Sequence, residues 1–376
     1  MGVFSLTQST AQNAILPHRH IGLNKKIVKA TYHQYILNFK QPSGTSRGVL
    51  VQKETWFIQL QKDGKRAIGE CGLLRGLSID DRPDYEAKLA WTCQNIHLGE
   101  KALWEALIEF PSIQFGVEMA FRSWSSNTPF LLFPSAFSQG TQSIAINGLV
   151  WMGDTQFMKQ QIQQKLADGF RCIKLKIGAL DFDKELELIA FIRENFTANQ
   201  IEIRVDANGA FDTSDALSKL EQLSGLELHS IEQPIAKNHT DTMAELCKNT
   251  PLPIALDEEL IGVFTIQDKE ALLLKIKPQY LILKPSFVGG FRGTQEWITL
   301  AEKHQIGWWI TSALESNIGL NAIAQWTFLK QNLLPQGLGT GALYTNNLDS
   351  PLVVSNGQLW YDSSIDWHLD WDSFLY

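Results

Sequence analysis

From about residue 143 the chain falls into a rhythm of short apolar runs separated by longer amphipathic stretches, and run after run ends on a polar residue. The runs read SIAINGLV, CIKLKIG, IEIRVDANG, LHSIEQP, PIALDEEL, YLILKPS, GWWITSALES and a short eighth, QGLGTG. Continuous apolar runs are what parallel strands buried on both faces require. The stretches between them, such as QFMKQQIQQKLADG, have helical character, with Gly169 placed as a C-terminal cap. Eight such units in roughly 210 residues predict an α/β fold of the (β/α) barrel kind, which typically takes about 250. A flat doubly wound sheet is the alternative. It offers no reason for successive strands to end on charged groups.

At 376 residues the chain is too long for one small core, and two domains are the default reading. Residues 1–137 read as an α+β domain. KIVKATYHQYILNFK and TWFIQLQ alternate apolar and polar residues as antiparallel strands do. A loop, GECGLLRGLSIDDRPD, follows them. Residues 84–123 then carry apolar residues at helical spacing. NTPFLLFPSAFSQGTQ reads as the passage to the barrel domain, assigned to 138–350. The tail, about 351–376, reads as a hairpin turning at Asn356-Gly357 that packs back on the first domain.

Bulk properties exclude several function classes. A net charge of −7 argues against a nucleic-acid surface. No run approaches the roughly 20 apolar residues of a membrane helix. MGVFSLTQST lacks the basic-then-apolar order of a signal peptide, and Leu6 breaks the myristoylation pattern. Cys71, Cys93, Cys172 and Cys247 are scattered without a CxxC, so they read as reduced thiols of a cytoplasmic protein, and zinc is not expected.

The polar residues at the run ends carry the chemistry. Asp206, Glu232 and Asp257 stand 26 and 25 residues apart, and Lys284 follows after 27 more. In a barrel, residues at C-terminal strand ends converge on one mouth. One strand-end acid is commonly a cap or turn residue; three at near-constant spacing read as one site. Three hard oxygen donors with room for water and substrate suit Mg²⁺, with Mn²⁺ as a substitute. Glu258 beside Asp257 points to the opposite face and is expected behind the ligand. Asn208 is placed to orient Asp206 or a metal-bound water.

Lys174 and Lys176 are two apart and share one strand face. They interrupt an apolar strand where no solvated face is expected, so they read as inward-facing. Two neighbouring ammonium groups near a divalent cation disfavour each other's protonation. Bringing a lysine close to neutrality takes about 4 kcal/mol of such destabilisation. Three carboxylates, one divalent cation and three lysines leave the mouth at roughly +2, and Arg204, on the face of Asp206, is expected to add to it. Such a mouth favours a small-molecule dicarboxylate whose α-proton is removed.

KLKIG, VDANGAF, EQP, LDEEL and LKP, in this order and spacing, resemble the enolase superfamily in its muconate-lactonising-enzyme branch. The resemblance covers nearly the whole barrel, and the front domain resembles that family's capping domain. It implies a (β/α)7β barrel with Mg²⁺ on Asp206, Glu232 and Asp257. It implies Lys176 as base, Lys174 as its supporting partner and Lys284 as the opposing lysine. Within the branch, ITSALESNIG, GLGTG with the Asn-Asn-Leu-Asp stretch, and GECGLLRGLS resemble the o-succinylbenzoate synthase family of menaquinone biosynthesis. That likeness implies a syn dehydration of 2-succinyl-6-hydroxy-2,4-cyclohexadiene-1-carboxylate through a metal-stabilised enediolate. It also places Ser312, Glu315 and Ser316 behind the catalytic groups or against the substrate. Two segments depart from relatives: Gly72-Leu73-Leu74-Arg75-Gly76 replaces a proline-rich loop, and Thr311-Ser312-Ala313 replaces a serine run. Both shape the substrate pocket.

Other readings remain open at this level. N-succinyl-amino-acid racemases and dipeptide epimerases also need a lysine on each face, and muconate cycloisomerase stays possible. SALES and GTGAL stand where the epimerases carry Asp-x-Asp, which counts against them. A catalytically dead barrel used for binding would lack a ligand or a lysine, and none is missing. His18 and His20 read as a capping-loop segment or plain surface rather than a metal pair. Trp308 and Trp309 read as barrel wall. Gly337, Gly339 and Gly341 lack a nucleotide-binding context and read as the end of the eighth strand, offering backbone N–H groups to an anion. Oligomeric state, monomer or homo-oligomer, is not fixed.

Overall fold

The computed structural model describes residues 28–45 and 48–371. His18 and His20 therefore lie outside the described residues. Three antiparallel strands open the chain: β1 (Lys29–Thr45), β2 (Gly48–Lys62) and β3 (Lys65–Cys71), in sheet order β1-β2-β3. The alternating pattern predicts only the first two. The signal for the third is the Asp63-Gly64 pair between alternating segments, a hairpin turn in which both residues take positive φ. Helices α1 (Tyr85–Gln94), α2 (Glu100–Ala106) and α3 (Pro111–Ser125) follow, close to the helical stretch expected over 84–123. Pro111 opens α3, where its missing N–H costs nothing.

The front core gathers Trp56, Ile58 and Leu60 of β2 with Leu89, Ile113 and Val117 of the helices, all buried. Each such side chain contributes about 1.5–3 kcal/mol by leaving water. Helix α3 lies directly on β3. A side chain at Gly69 would collide with the backbone of Gly116, so glycine at both positions sets how closely the two elements approach.

The second half is α/β. After a short strand β4 (Ile144–Ala145) come β5 (Gly148–Val150), β6 (Cys172–Lys176), β7 (Glu202–Asp206), β8 (Ser230–Glu232), β9 (Ile254–Leu256), β10 (Tyr280–Leu283) and β11 (Gly307–Ile310). The last seven form one parallel sheet in sequential order, β5 to β11. Helices α4 (Thr155–Ala167), α5 (Phe182–Arg193), α6 (Ala216–Ser224), α7 (Thr240–Asn249) and α8 (Ile266–Ile276) connect successive strands. A short α9 (Pro285–Val288) and α10 (Gly290–Lys303) join β10 to β11, and α11 (Asn317–Phe328) follows β11. Gly169 takes φ 78° just after α4, as a left-handed cap should. The sheet curls. Its two edges meet the same short segment, Gln336 pairing with Ile146 and Gly337 with Thr311, both in parallel sense.

The hairpin turns at Asn356-Gly357, both with positive φ, between β12 (Leu352–Ser355) and β13 (Gln358–Tyr361). Among the described residues it forms no strand pairs with the front sheet. Instead β13 pairs with β4, so the tail extends the entrance to the α/β half. Contacts with the 1–137 segment come from Tyr361 of β13, whose ring meets Phe137, from Trp367, which stacks on Phe130, and from Trp371, which approaches Arg66 of β3. Among the described residues no helix is long and apolar enough to cross a membrane.

Candidate active site

Strand register brings the predicted residues to one end of the sheet. Lys176, Asp206 and Glu232 pair side by side across β6, β7 and β8. Asp257 and Lys284 are the first residues after β9 and β10, and Thr311 and Ser312 follow β11. Paired residues of parallel strands face the same side, so these groups point together into the curl.

There the acids and lysines interlock. Lys174 Nζ bridges Asp206 Oδ2, at 2.8 Å, and Glu232 Oε2. Lys176 Nζ donates to Asp206 Oδ2 at 2.6 Å and to Asn208 Oδ1 at 2.9 Å. Lys284 Nζ contacts Asp257 Oδ2 and stands 3.8 Å from Glu232 Oε1. All six are buried; Asp206 is wholly inaccessible.

The two lysines of the pair titrate in opposite directions. Burial lowers Lys176, helped by the charges of Lys174 and Lys284, against the pull of Asp206. Burial would lower Lys174 too, but Asp206 and Glu232 together hold it above the ordinary lysine range. The mutual depression expected from two neighbouring ammonium groups thus falls on one of them. Lys284 is likewise raised, by Asp257 and then Glu232, in spite of burial. Burial and the neighbouring Asp206 push Glu232 up to about 8, whereas Lys174 and Lys176 overcome burial and hold Asp206 well below the usual range.

Asn208 sits in the left-handed region at φ 46°, which brings its N–H to Asp206 Oδ1 at 3.0 Å and its Nδ2 to Glu258 Oε1 at 3.1 Å. Glu258 thus stands behind Lys176 through Asn208. Gln233, which the sequence pattern marks only as the middle of EQP, proves to be a structural clamp. Its Oε1 accepts from Asp257 N and Glu259 N, both at 3.2 Å, and fixes the turn that presents Asp257.

Arg204 corrects its expected place. It lies one layer deeper than Asp206, with its guanidinium 4.0 Å over the Trp309 ring and bonded to Glu202 at 2.7 Å and the Pro335 carbonyl at 2.8 Å. It builds the floor and adds no charge to the mouth. The floor is apolar otherwise, since Trp309 packs with Ala255 and Ile282.

Among the described residues no three His, Cys, Asp or Glu side chains form a ready metal cage. The donor set nevertheless fits a hard cation. Three carboxylates from adjacent strands converge, and ammonium groups of Lys174 and Lys284 sit on their oxygens. Glu232 Oε1 accepts no hydrogen bond despite complete burial. A buried carboxylate oxygen with its nearest ammonium, Lys284, 3.8 Å away is a position that a bound cation would suit.

A cavity of about 480 Å³ opens onto Lys174, Lys176 and Lys284. Leu74 to Leu77 of the front-domain loop wall one side, and Thr311 to Leu314 with Gly337, Gly339 and Thr340 wall another. Leu74 to Gly76 of the capping-loop segment and Thr311 to Ala313 therefore both line the cavity. Ser312 and Glu315 belong to one network. Glu315 Oε2 accepts from Ser312 Oγ and Ala313 N, each at 2.6 Å, and Oε1 accepts from Ser286 Oγ. Ser316 is bound instead to Glu70 of β3, the acid of the GECGLLRGLS segment, to which the sequence pattern gives no role of its own.

Comparison with known proteins covers both halves of the chain. Residues 27–124 match the model of the MenC N-terminal domain, and residues 157–363 match that of the enolase C-terminal domain-like family. An o-succinylbenzoate synthase from Desulfotalea psychrophila is 47% identical, over 88% of this chain and 98% of its own. The crystal structure of MenC from the same organism superposes with a TM-score of 0.79 at 43% identity, covering 89% of this chain and 99% of that one. A dipeptide epimerase from Enterococcus faecalis, complexed with Mg and a dipeptide, shares the fold at a TM-score of 0.77 and 16% identity, covering 89% of this chain and 96% of that one.

Proposed function

The chain belongs to the MenC, or o-succinylbenzoate synthase, family of the enolase superfamily, and we propose on that premise how its own residues carry the reaction. It is a carbon–oxygen lyase that dehydrates 2-succinyl-6-hydroxy-2,4-cyclohexadiene-1-carboxylate to o-succinylbenzoate. The observation that carries this reading is a lysine on each side of a three-carboxylate cluster, facing one cavity. Strands β7, β8 and β9, with the acids, lie between β6, with Lys176, and β10, which leads to Lys284.

Asp206, Glu232 and Asp257 are the residues that would hold Mg²⁺, which when bound supplies Lewis-acid charge beside the substrate carboxylate; Mn²⁺ is its substitute. Lys176, the lysine depressed by burial and by two neighbouring cations, takes the α-proton as general base. Asn208 holds its Nζ in line. Lys284, which stays charged, offers its ammonium to the enediolate from the other side. The hydroxyl leaves from the face that lost the proton, so protonated Lys176 returns that proton to it. Water departs and the ring becomes aromatic. Lys174, held above the ordinary lysine range by Asp206 and Glu232 in spite of burial, stays protonated and supplies positive charge beside them.

The finer architecture belongs to the same proposal. We read the curled sheet plus residues 336–337 as a (β/α)7β barrel over 138–350, with residues 1–137 as its α+β capping domain. The pairing of Gln336 and Gly337 with both sheet edges supports this.

The deciding experiment incubates purified protein with the cyclohexadiene dicarboxylate and Mg²⁺ and follows o-succinylbenzoate by absorbance. N-succinyl amino acids in D₂O serve as the comparison. Faster α-proton exchange than dehydration would replace this reading with the racemase one.

A further inference from the structure

Asn147 stands in the short link between β4 and β5, with the buried Ile146 before it and Gly148 after it. Its backbone N–H donates to the Gln336 carbonyl at 3.0 Å. Its side chain has no hydrogen-bond partner among the described residues, although the residue is only 6% exposed. Asparagine in a link usually bonds back to nearby backbone, and here it does not. Nor are its amide atoms sealed in the core. The space they open on is the cavity that reaches Lys174, Lys176 and Lys284, of which Asn147 is a lining residue.

The other polar side chains of the cavity wall that are as deeply buried are engaged. Lys174 and Lys176 hold Asp206, Lys284 holds Asp257, Ser312 donates to Glu315, and Thr340 donates to Ser312. Gln161, less buried, spans Trp151 N and O at 2.9 Å each. Asn147 alone of the deeply buried group keeps both a donor and an acceptor to offer. An amide without a partner is costly to bury, and an apolar residue in its place would carry no such cost. A ligand in the cavity supplies the missing partner.

Strand register places this amide relative to the reacting groups. Leu149 pairs with Lys174 across β5 and β6, and Asn147 lies two residues earlier, on the same face. Strand β6 separates it from β7, β8 and β9, which present the acids. On its other side runs the wall formed by Gly337, Gly339 and Thr340. A side chain at Gly339 would stand 3.6 Å from the Asn147 carbonyl oxygen. A substrate that sets one carboxylate at the acids and extends away from them along this wall meets Asn147.

We propose that Asn147 is a specificity-determining residue, whose Nδ2 donates to an oxygen of the succinyl arm while the ring carboxylate occupies the acid cluster. The assignment rests on the dehydratase reading, and the test separates the two. Calorimetry on the Mg²⁺-loaded protein measures binding of two probes, o-succinylbenzoate and benzoate; benzoate has the ring carboxylate and lacks the arm. Asn147→Ala is expected to weaken o-succinylbenzoate about tenfold and to leave benzoate unchanged. Asn147→Asp, of the same size, weakens it further, because a carboxylate then faces an anionic arm. In turnover the loss lies in KM, with kcat kept within a factor of about two. Wild type that does not bind o-succinylbenzoate overturns the dehydratase reading and the assignment with it. Wild type that binds it, with Asn147→Ala weakened for neither probe or equally for both, overturns the assignment alone. The free protein loses no hydrogen bond in Asn147→Ala, so its thermal midpoint stays within a few degrees of wild type. A variant that melts far lower, or does not fold, shows that the amide holds the strand and overturns the assignment as well.

Discussion

Glu70 of the front sheet caps a helix that begins 246 residues later, at Ser316. The Ser316 N–H reaches its Oε1 at 2.9 Å and the Ser316 hydroxyl its Oε2 at 2.5 Å. One side chain thus closes the N-terminus of α11 and ties the two halves of the chain together. Glu70→Gln keeps the shape but turns an acceptor into a donor facing N–H groups. The expected loss is about 2 kcal/mol or more in urea unfolding, against a small change for Glu86→Gln on the exposed face of α1.

Lys176→Ala and Lys284→Ala are each expected to leave the far-UV spectrum unchanged and to reduce kcat by about a thousandfold or more. With N-succinyl amino acids in D₂O, each variant should lose exchange from one stereoisomer of the pair. Near-normal turnover by Lys176→Ala would remove the base from the scheme.

Exhaustive chelation should abolish dehydration, and Mg²⁺ or Mn²⁺ should restore it. Ca²⁺, larger and with more ligands, should restore less. Full activity of a metal-stripped sample would mean that Asp206, Glu232 and Asp257 serve only as counter-charges to the lysines.

Glu118 of α3 is buried and accepts from Phe291 N at 2.5 Å and Arg292 N at 3.2 Å, at the start of α10. Burial, and then the charge of Glu100, raise it from 4.5 to about 8. A carboxyl raised on folding binds more protons in the native state, so its stabilisation is complete below 4.5 and is lost as pH climbs through about 8. Stability measured against Glu118→Gln should therefore decline for the wild type across that window. A flat difference from pH 4.5 to 8 would refute the shift.

Gly72 lies against the network that holds Ser312. A methyl group there would stand 2.8 Å from Ser286 Oγ and 3.0 Å from Glu315 Cγ. Gly72→Ala is expected to raise KM severalfold with a thermal midpoint lowered by only a few degrees. A larger effect on melting than on KM would make the contact merely structural.

Much of the site could be read from the sequence because strand register is simple: a polar residue ending a buried parallel strand has few places to point. That logic gathers Lys176, Asp206 and Glu232 at one level. It misplaces Arg204, because sharing a face with Asp206 says nothing about depth along the strand, and two residues lower the side chain meets Trp309. It assigns no role to Glu70 because its partners Ser316 and Gly319 lie across an interface between halves, which no local pattern encodes. A trace is present: Lys53 and Thr55 alternate with the apolar Phe57 on one strand face, where a solvated lysine would be out of place. The third front strand is legible too, through its Asp-Gly turn, but apolar alternation alone does not reveal it.

Gln336 and Gly337 are the one short stretch, among the described residues, that touches both edges of the parallel sheet. They also come after every strand they join. A chain emerging from the ribosome therefore carries β5 and β11 as open edges until this pair has been made. The exposure of those edges is thus a matter of timing: it lasts until Gln336 and Gly337 have been made.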